Sequence, residues 1–460
     1  MIKLLERCLN NKGGDLKLKL YGNATVITLN DKDPVINNGA VLIDEGIIKD
    51  YGKTDKLKLR YQEADFKDVK KKVIMPGMIN THMHFYSTFA RGMDLKADQP
   101  PQNFQEILEK LWWRLDETLN SEDIYYSALY ALVESIRNGT TTIFDHHASY
   151  GYIEDSLDII AEAVVKTKLR ANLSYEISDR HGDKKSKQAI LENERFINRT
   201  KSLNNALLTP MIGLHASFTL EDKTLKEAAK LADKTNTPMH FHAAEGKVDQ
   251  IDSKKRGYKN LTDRLDKLGI LKKDSLAIHG VHLSEKEYDK LADKGVYLIH
   301  NPQSNMSNAV GSIDIKKALQ KGVTVGLGTD GYTTDMFESL KVADILQKHQ
   351  GLDSNLGGED IKELVFKNNR KIANNFFDKE LGIIKKGVPA DLIILDYKPP
   401  TPVIGENYFY HIIFGFNGGL VDTTIVNGHV LMEDREVKVL DYEKTIERCK
   451  KQAEDFWRRF

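Results

Sequence analysis

Ten of the fourteen histidines in this chain close short apolar runs or follow directly on them. VIMPGMINTHMH ends on His82 and His84, TTIFDHH on His146 and His147, and LLTPMIGLH on His215. TPMHFH ends on His240 and His242, SLAIHGVH carries His279 and His282, GVYLIH ends on His300, and one further run, VTVGLGTD, ends on Asp330. Imidazoles and a carboxylate gathered at the ends of apolar runs are the donors of a divalent-cation site, and the chemistry of such a site is the activation of water for hydrolysis.

Spacing divides the labour. His82 and His84 are two apart, so on a strand both project from one face and can chelate one cation. His242 stands three residues before Glu245, which offers one ligand and one proton donor beside it. His240 shares His242's face and is the alternative ligand; His242 is preferred because it lies nearer the rim. Asp330, inside Gly-Leu-Gly-Thr-Asp-Gly, has neighbours that allow close backbone approach to a ligand, although the same string also reads as a turn capping a helix. His279 is placed to orient the attacking water. Candidate substrate contacts are His215, His300 and Asn305 on the rim, Trp112 as an aromatic wall, and Arg91 in the long loop from Phe85 to Trp113. For His146, His147 and His282 a structural role is at least as well supported.

These residues need a scaffold that brings many strand ends together. Strand-like runs fall at about 73–84, 140–147, 169–177, 207–215, 237–242, 275–282, 295–300 and 323–330, separated by helical stretches such as SEDIYYSALYALVESIRNG and EDKTLKEAAKLADKTN. Eight strands alternating with helices predict an α/β fold, a (β/α)8 TIM-like barrel over 73–377 whose rim collects all eight C-terminal ends. Alternating β texture over 16–72 returns over 378–440, predicting a second, smaller discontinuous β-sandwich domain. Residues 1–15 read as an N-terminal extension and 441–460 as a C-terminal helix.

Composition excludes several classes. Lys+Arg and Asp+Glu are balanced at 67 each, so no polyanion partner and no nucleic acid is expected. No apolar stretch is long enough for a membrane span, and the opening MIKLLERCLNNKGGD is too charged for a secretory signal. Two cysteines, Cys8 and Cys449, form no disulfide framework, leave any metal to His and Asp, and suit a cytoplasmic protein.

Together these residues resemble the amidohydrolase superfamily, in its mononuclear branch of cytosine, guanine and S-adenosylhomocysteine deaminases and triazine hydrolases, and most of all the SsnA-type aminohydrolases. The likeness runs from about Leu16 to Leu440. The family's PG-x-x-x-x-H-x-H falls on Pro76, Gly77, His82 and His84, its H-x-x-E on His242 and Glu245, its strand-six histidine on His279, and its G-T-D-G aspartate on Asp330. The resemblance implies metal ligation by His82, His84, His242 and Asp330, an acid/base role for Glu245 and water orientation by His279. Binuclear relatives add a lysine late in strand four; LLTPMIGLHAS has none, which implies one divalent ion, Zn2+ or Fe2+. The implied activity is deamination of an amidine-like carbon in a small heterocycle of purine, pyrimidine or triazine type, by a homo-oligomer. Hydrolysis of an amide, urea-type or carbon–halogen bond by the same site is the alternative, and a silent scaffold the remote one.

Overall fold

The structure is a computed structural model describing residues 18–203 and 205–460, so the expected extension over residues 1–15 lies outside the described residues. The chain first builds strands β1 (Lys19–Ile27), β2 (Val35–Asp44), β3 (Ile47–Lys53), β4 (Asp65–Asp68) and β5 (Val73–Pro76). The strands that follow are β6 (Met78–Met83), β7 (Thr140–His147), β8 (Arg170–Ile177), β9 (Leu208–Pro210), β10 (Ile212–Ala216), β11 (Met239–Ala243), β12 (Leu276–His279), β13 (Tyr297–His300) and β14 (Val325–Leu327). Near the end come β15 (Leu392–Leu395), β16 (Val421–Val426), β17 (His429–Glu433) and β18 (Glu436–Val437).

Strands β6, β7, β8, β10, β11, β12, β13 and β14 lie side by side in that order, each parallel to the next, with β9 flanking β8. Their residues are buried on both faces, as near-continuous apolar runs in an all-parallel sheet require. The sheet curls until β14 meets β6. There the Thr81 hydroxyl donates to the Leu327 carbonyl at 3.0 Å, and Met83 and Asp330 form a parallel bridge. The fold is therefore a nearly closed (β/α)8 barrel with the histidine-bearing strand ends on one rim.

The second domain is a single mixed, open sheet ordered β18-β17-β16-β15-β5-β1-β2-β3, with β4 beside β1. Val26, Val41, Ile43, Ile74, Leu392 and Ile394 form its own core. The run VIMPGMINTHMH, expected as one strand, divides in two: Val73–Pro76 pairs with β15 of the small sheet, whereas Met78–Met83 opens the barrel. Gly77 is the joint. A Cβ there would sit 2.1 Å from Cγ2 of Thr141, so only glycine lets the two sheets meet this closely.

The helices Ser121–Arg137 and Asp222–Thr235 form where the apolar spacing places them. The first starts on a capping box in which Asn120 accepts from the Asp123 amide at 3.0 Å and Asp123 accepts from the Asn120 amide at 2.8 Å. The C-terminal helix, Tyr442–Arg459, packs on it through Arg459 Nη2 to Asp123 Oδ2 at 2.6 Å. Trp457 Nε1 then donates to the Phe89 carbonyl at 2.7 Å, so this last helix pins the turn Phe85–Ala90 that follows His84.

Candidate metal centre

The rim gathers nitrogens and oxygens around one point. His84, one residue past β6, donates from Nδ1 to the His146 carbonyl at 2.5 Å, which turns its Nε2 inward. His82 Nδ1 lies 2.8 Å from His240 Nε2, so the His82 ring too presents Nε2 to the cluster. His242 Nε2 is 3.3 Å from His84 Nε2. Across the seam, Asp330 Oδ1 is 3.2 Å from His84 Nε2 and 3.6 Å from His82 Nε2. Overlapping groups of mutually close donors cover His82, His84, His146, His242, His279, Glu245 and Asp330, all buried.

The residues present fit a divalent cation. Ligands about 2.0–2.1 Å from a tetrahedral zinc stand about 3.3–3.4 Å from one another, and the spacings of His84 to His242 and to Asp330 are close to that. His82 Nε2 is buried with no hydrogen-bond partner among the described residues, an orphaned lone pair that a cation satisfies. Three imidazoles and one carboxylate suit zinc and iron(II) alike. Burial pulls the His82 and His242 imidazoles down, which leaves each a neutral lone-pair donor, whereas on His84 the Asp330 carboxylate outweighs burial and holds the ring up at about 9.

Beside this cluster Glu245, His279 and Asp330 lie in contact. Glu245 Oε2 is 3.2 Å from His279 Nε2, which is in turn 3.6 Å from Asp330 Oδ2. Burial, then the neighbouring Asp330 charge, pushes the Glu245 carboxyl well above the usual range. Burial acts upward on Asp330 as well, but the imidazoles of His82 and His84 overcome it and hold this carboxyl well below that range. Three rim residues carry left-handed backbone: Ala244 at φ 50°, His279 at 75° and Asp330 at 55°. Non-glycine residues pay for that conformation, and it occurs here where the chain must leave each strand abruptly to aim a functional group.

A pocket opens above the cluster, with Tyr86, Phe104, Trp112, Trp113 and Phe218 as aromatic wall. His215 is on that wall, its Nδ1 2.7 Å from Thr219 Oγ1. His300 and Asn305 are wholly buried below the lining, and Arg91 reaches Tyr130 Oη at 3.5 Å away from it. His240 backs His82, His146 Nδ1 lies 3.4 Å from Glu176 Oε2, and His147 Nε2 meets Ser149 Oγ at 2.9 Å.

Sequence reasoning passed over Asp116, Glu176 and Arg180, which line or back the far end of the pocket. Arg180 Nη2 bonds Asp116 Oδ2 at 2.8 Å and Glu176 Oε1 at 3.4 Å. Glu176 had a signal, a lone acid near the end of the buried strand β8; Asp116, inside the helix Trp113–Thr118, had none.

Comparison with known proteins places the molecule. The model of the amidohydrolase family matches residues 73–431. A 5'-deoxyadenosine deaminase of Methanosarcina mazei is 33% identical over 438 residues, 94% of this chain and 97% of the relative. A 5-methylthioadenosine/S-adenosylhomocysteine deaminase of Thermococcus sibiricus is 36% identical over 79% of this chain and 84% of its own. Among solved structures, an adenosine deaminase from Xanthomonas campestris with bound zinc superposes with a TM-score of 0.83 at 22% identity, covering 96% of this chain and 99% of that one. The chain belongs to the amidohydrolase family, and with its His/Asp cluster it is a metal-dependent hydrolase.

Proposed function

We propose that the protein is an aminohydrolase that replaces the exocyclic amino group of an adenine-type nucleoside by oxygen, releasing ammonia. The observation that carries this reading is the set Glu245, His279 and Asp330, an acid and a base whose oxygens stand 3.2 and 3.6 Å from one imidazole nitrogen, His279 Nε2, beside the cation donors. Support for the nucleoside comes from the names of the relatives whose length this chain nearly spans. The pocket agrees in kind. Its aromatic wall suits a flat heterocycle, and at its far end Asp116 Oδ1, buried and unpartnered, is an acceptor for a hydroxyl.

We assign His82, His84, His242 and Asp330 to hold one divalent ion, zinc by analogy with the bound metal of the Xanthomonas protein. Bound there, the ion supplies Lewis-acid chemistry that brings the pKa of water from about 15.7 toward about 7. Asp330 Oδ2, steadied by the Ser304 hydroxyl at 2.6 Å, accepts the proton of the attacking water. Glu245, kept protonated by burial, delivers its proton to the ring nitrogen beside the amidine carbon as that carbon becomes tetrahedral. His279 donates to the adding oxygen, an effect of about 2.7–4 kcal/mol for one oxyanion donor. The amine departs as ammonia with the proton that Asp330 took from the water, while the proton left on the added hydroxyl passes to Glu245, leaving the carbonyl and restoring the acid.

The test is ammonia release by zinc-loaded enzyme from a panel of 5'-deoxyadenosine, 5'-methylthioadenosine, S-adenosylhomocysteine, guanine, cytosine and aminotriazines, with products identified by mass spectrometry. Turnover confined to the triazines or to amide substrates would overturn the nucleoside reading. We keep the narrower SsnA-type likeness as part of this proposal. We further infer a cytoplasmic homo-oligomer. The scarcity of cysteine supports the compartment, and sedimentation analysis tests the assembly. No helix among the described residues is long and apolar enough to cross a membrane.

A further inference from the structure

Directly after β13, the helix Pro302–Ser307 with the adjoining Asn308 reaches every member of the acid–base set. Ser304 Oγ donates to Asp330 Oδ2 at 2.6 Å, Asn305 Nδ2 lies 2.8 Å from His279 Nδ1, and Asn308 Nδ2 donates to Glu245 Oε1 at 3.1 Å. Ser304 and Asn308 are four apart and share one helix face, toward the pocket. Asn305 is turned into the barrel and is fully buried, so it touches no substrate. Gln303 anchors the helix by accepting from Ser339 Oγ at 2.6 Å.

A neutral imidazole has one N–H and one lone pair, and its neighbours decide which nitrogen holds which. On the Nε2 side of His279 stand a carboxyl oxygen of the protonated Glu245 at 3.2 Å and a carboxylate oxygen of Asp330 at 3.6 Å. A lone pair on Nε2 would face the acceptor oxygens of an ionised Asp330, whereas a proton there is attracted to them. On the Nδ1 side the only hydrogen-bond partner among the described residues is the Asn305 amide, which can offer N–H or C=O by turning over. With its Nδ2 toward the ring it donates, and Nδ1 must then be the lone pair.

We propose that Asn305 is a positioning residue that donates to His279 Nδ1 and so holds the imidazole proton on Nε2, aimed at Glu245, Asp330 and the reacting oxygen. One consequence is structural. With its Nε2 protonated, His279 cannot ligate a cation although it lies within the donor cluster, which leaves the imidazoles of His82, His84, His146 and His242 as the nitrogen donors there. The kinetic consequence rests on the deaminase reading, because an Nε2–H is the donor that the adding oxygen needs.

The tautomer is read directly from two-bond 1H–15N spectra of 15N-histidine-labelled, zinc-loaded protein, the His279 signals being assigned by their loss in His279→Gln. The expected wild-type spectrum has Nδ1 unprotonated and Nε2 protonated. Asn305→Asp, whose carboxylate only accepts, reverses the pattern and lowers kcat about a hundredfold with KM held within about threefold. Asn305→Ala removes the donor without burying a charge, and serves where the aspartate variant fails to fold; it yields mixed tautomers and a kcat about tenfold lower. A wild-type spectrum with the proton on Nδ1, or an Asn305→Ala protein with unchanged spectrum and kcat, overturns the proposal. If the expected wild-type spectrum appears but no nucleoside is deaminated, the tautomer assignment stands and the functional reading falls.

Discussion

The backbone amide of Asp330 donates to the carbonyl of His82 at 3.0 Å, so the last barrel strand and the first are joined at the residues that carry two of the cation donors. Closure of the barrel and assembly of the site are one event. The Thr329 amide shares the same carbonyl at 3.0 Å, and Asn80 Nδ2 donates to Thr329 Oγ1 at 2.7 Å, so the seam is bonded on both sides of the donor set.

Asp330→Asn tests the most connected of these groups. The amide keeps the shape and the Gly331 and seam contacts but loses the charge that faces His82 and His84. Turnover should fall by about three to four orders of magnitude while circular dichroism and the melting profile stay close to wild type. Near-normal kcat in this variant would remove Asp330 from the mechanism.

Glu245→Gln removes the dissociable proton and preserves the hydrogen bond from Asn308 Nδ2. We expect kcat to drop about a hundred- to ten-thousandfold with a much smaller change in KM, measured as initial rates of ammonia release. An equal loss in kcat/KM carried by KM alone would make Glu245 a binding group.

Metal analysis of purified protein should find about one equivalent of transition metal per chain, in line with a single His3Asp set. Exhaustive chelation should abolish turnover and one equivalent of zinc should restore it. Full activity of a chelated, metal-free preparation is incompatible with the assignment.

Asp145 gives a pH-dependent prediction for stability. Burial raises this fully buried carboxyl to about 7, although its Oδ1 accepts from the Phe85 amide at 2.7 Å. The native state therefore keeps a proton that the unfolded chain releases near 3.8, so this group's contribution is whole below about 4 and is lost as pH rises through 7. Asp145→Asn still accepts from Phe85 and does not ionise. Relative to wild type its stability should rise steadily between about pH 4 and pH 7, gaining on the order of 1 kcal/mol for each step of one in pH. Urea unfolding of metal-free protein across this range shows it; parallel pH curves for the two proteins would contradict it.

Gly77→Ala should destabilise the joint between the small sheet and the barrel by about 1–3 kcal/mol, because the added methyl meets Thr141 at 2.1 Å. Adding Thr141→Ala should recover part of that loss in denaturant midpoints. Additive losses in the double variant would show that the contact is not the cause.

The residues expected to bear the chemistry could be picked out because strands speak through short-range rules. Apolar runs of four to eight residues mark buried strands, the period of two puts His82 beside His84 and His240 beside His242, and alternation with amphipathic helices such as Asp222–Thr235 specifies a parallel barrel. What pairing could not announce is which partner each polar atom meets. That Asp330 crosses the seam to His82, that Ser304, Asn305 and Asn308 address Asp330, His279 and Glu245, and that Asp116 faces Arg180 from a distant helix are contacts between segments separated by 26 to 248 residues along the chain. Such contacts depend on strand order, shear and the left-handed exits at Ala244, His279 and Asp330. Local propensity is blind to them, since it acts within a few residues, whereas closure of the barrel acts on the whole sheet.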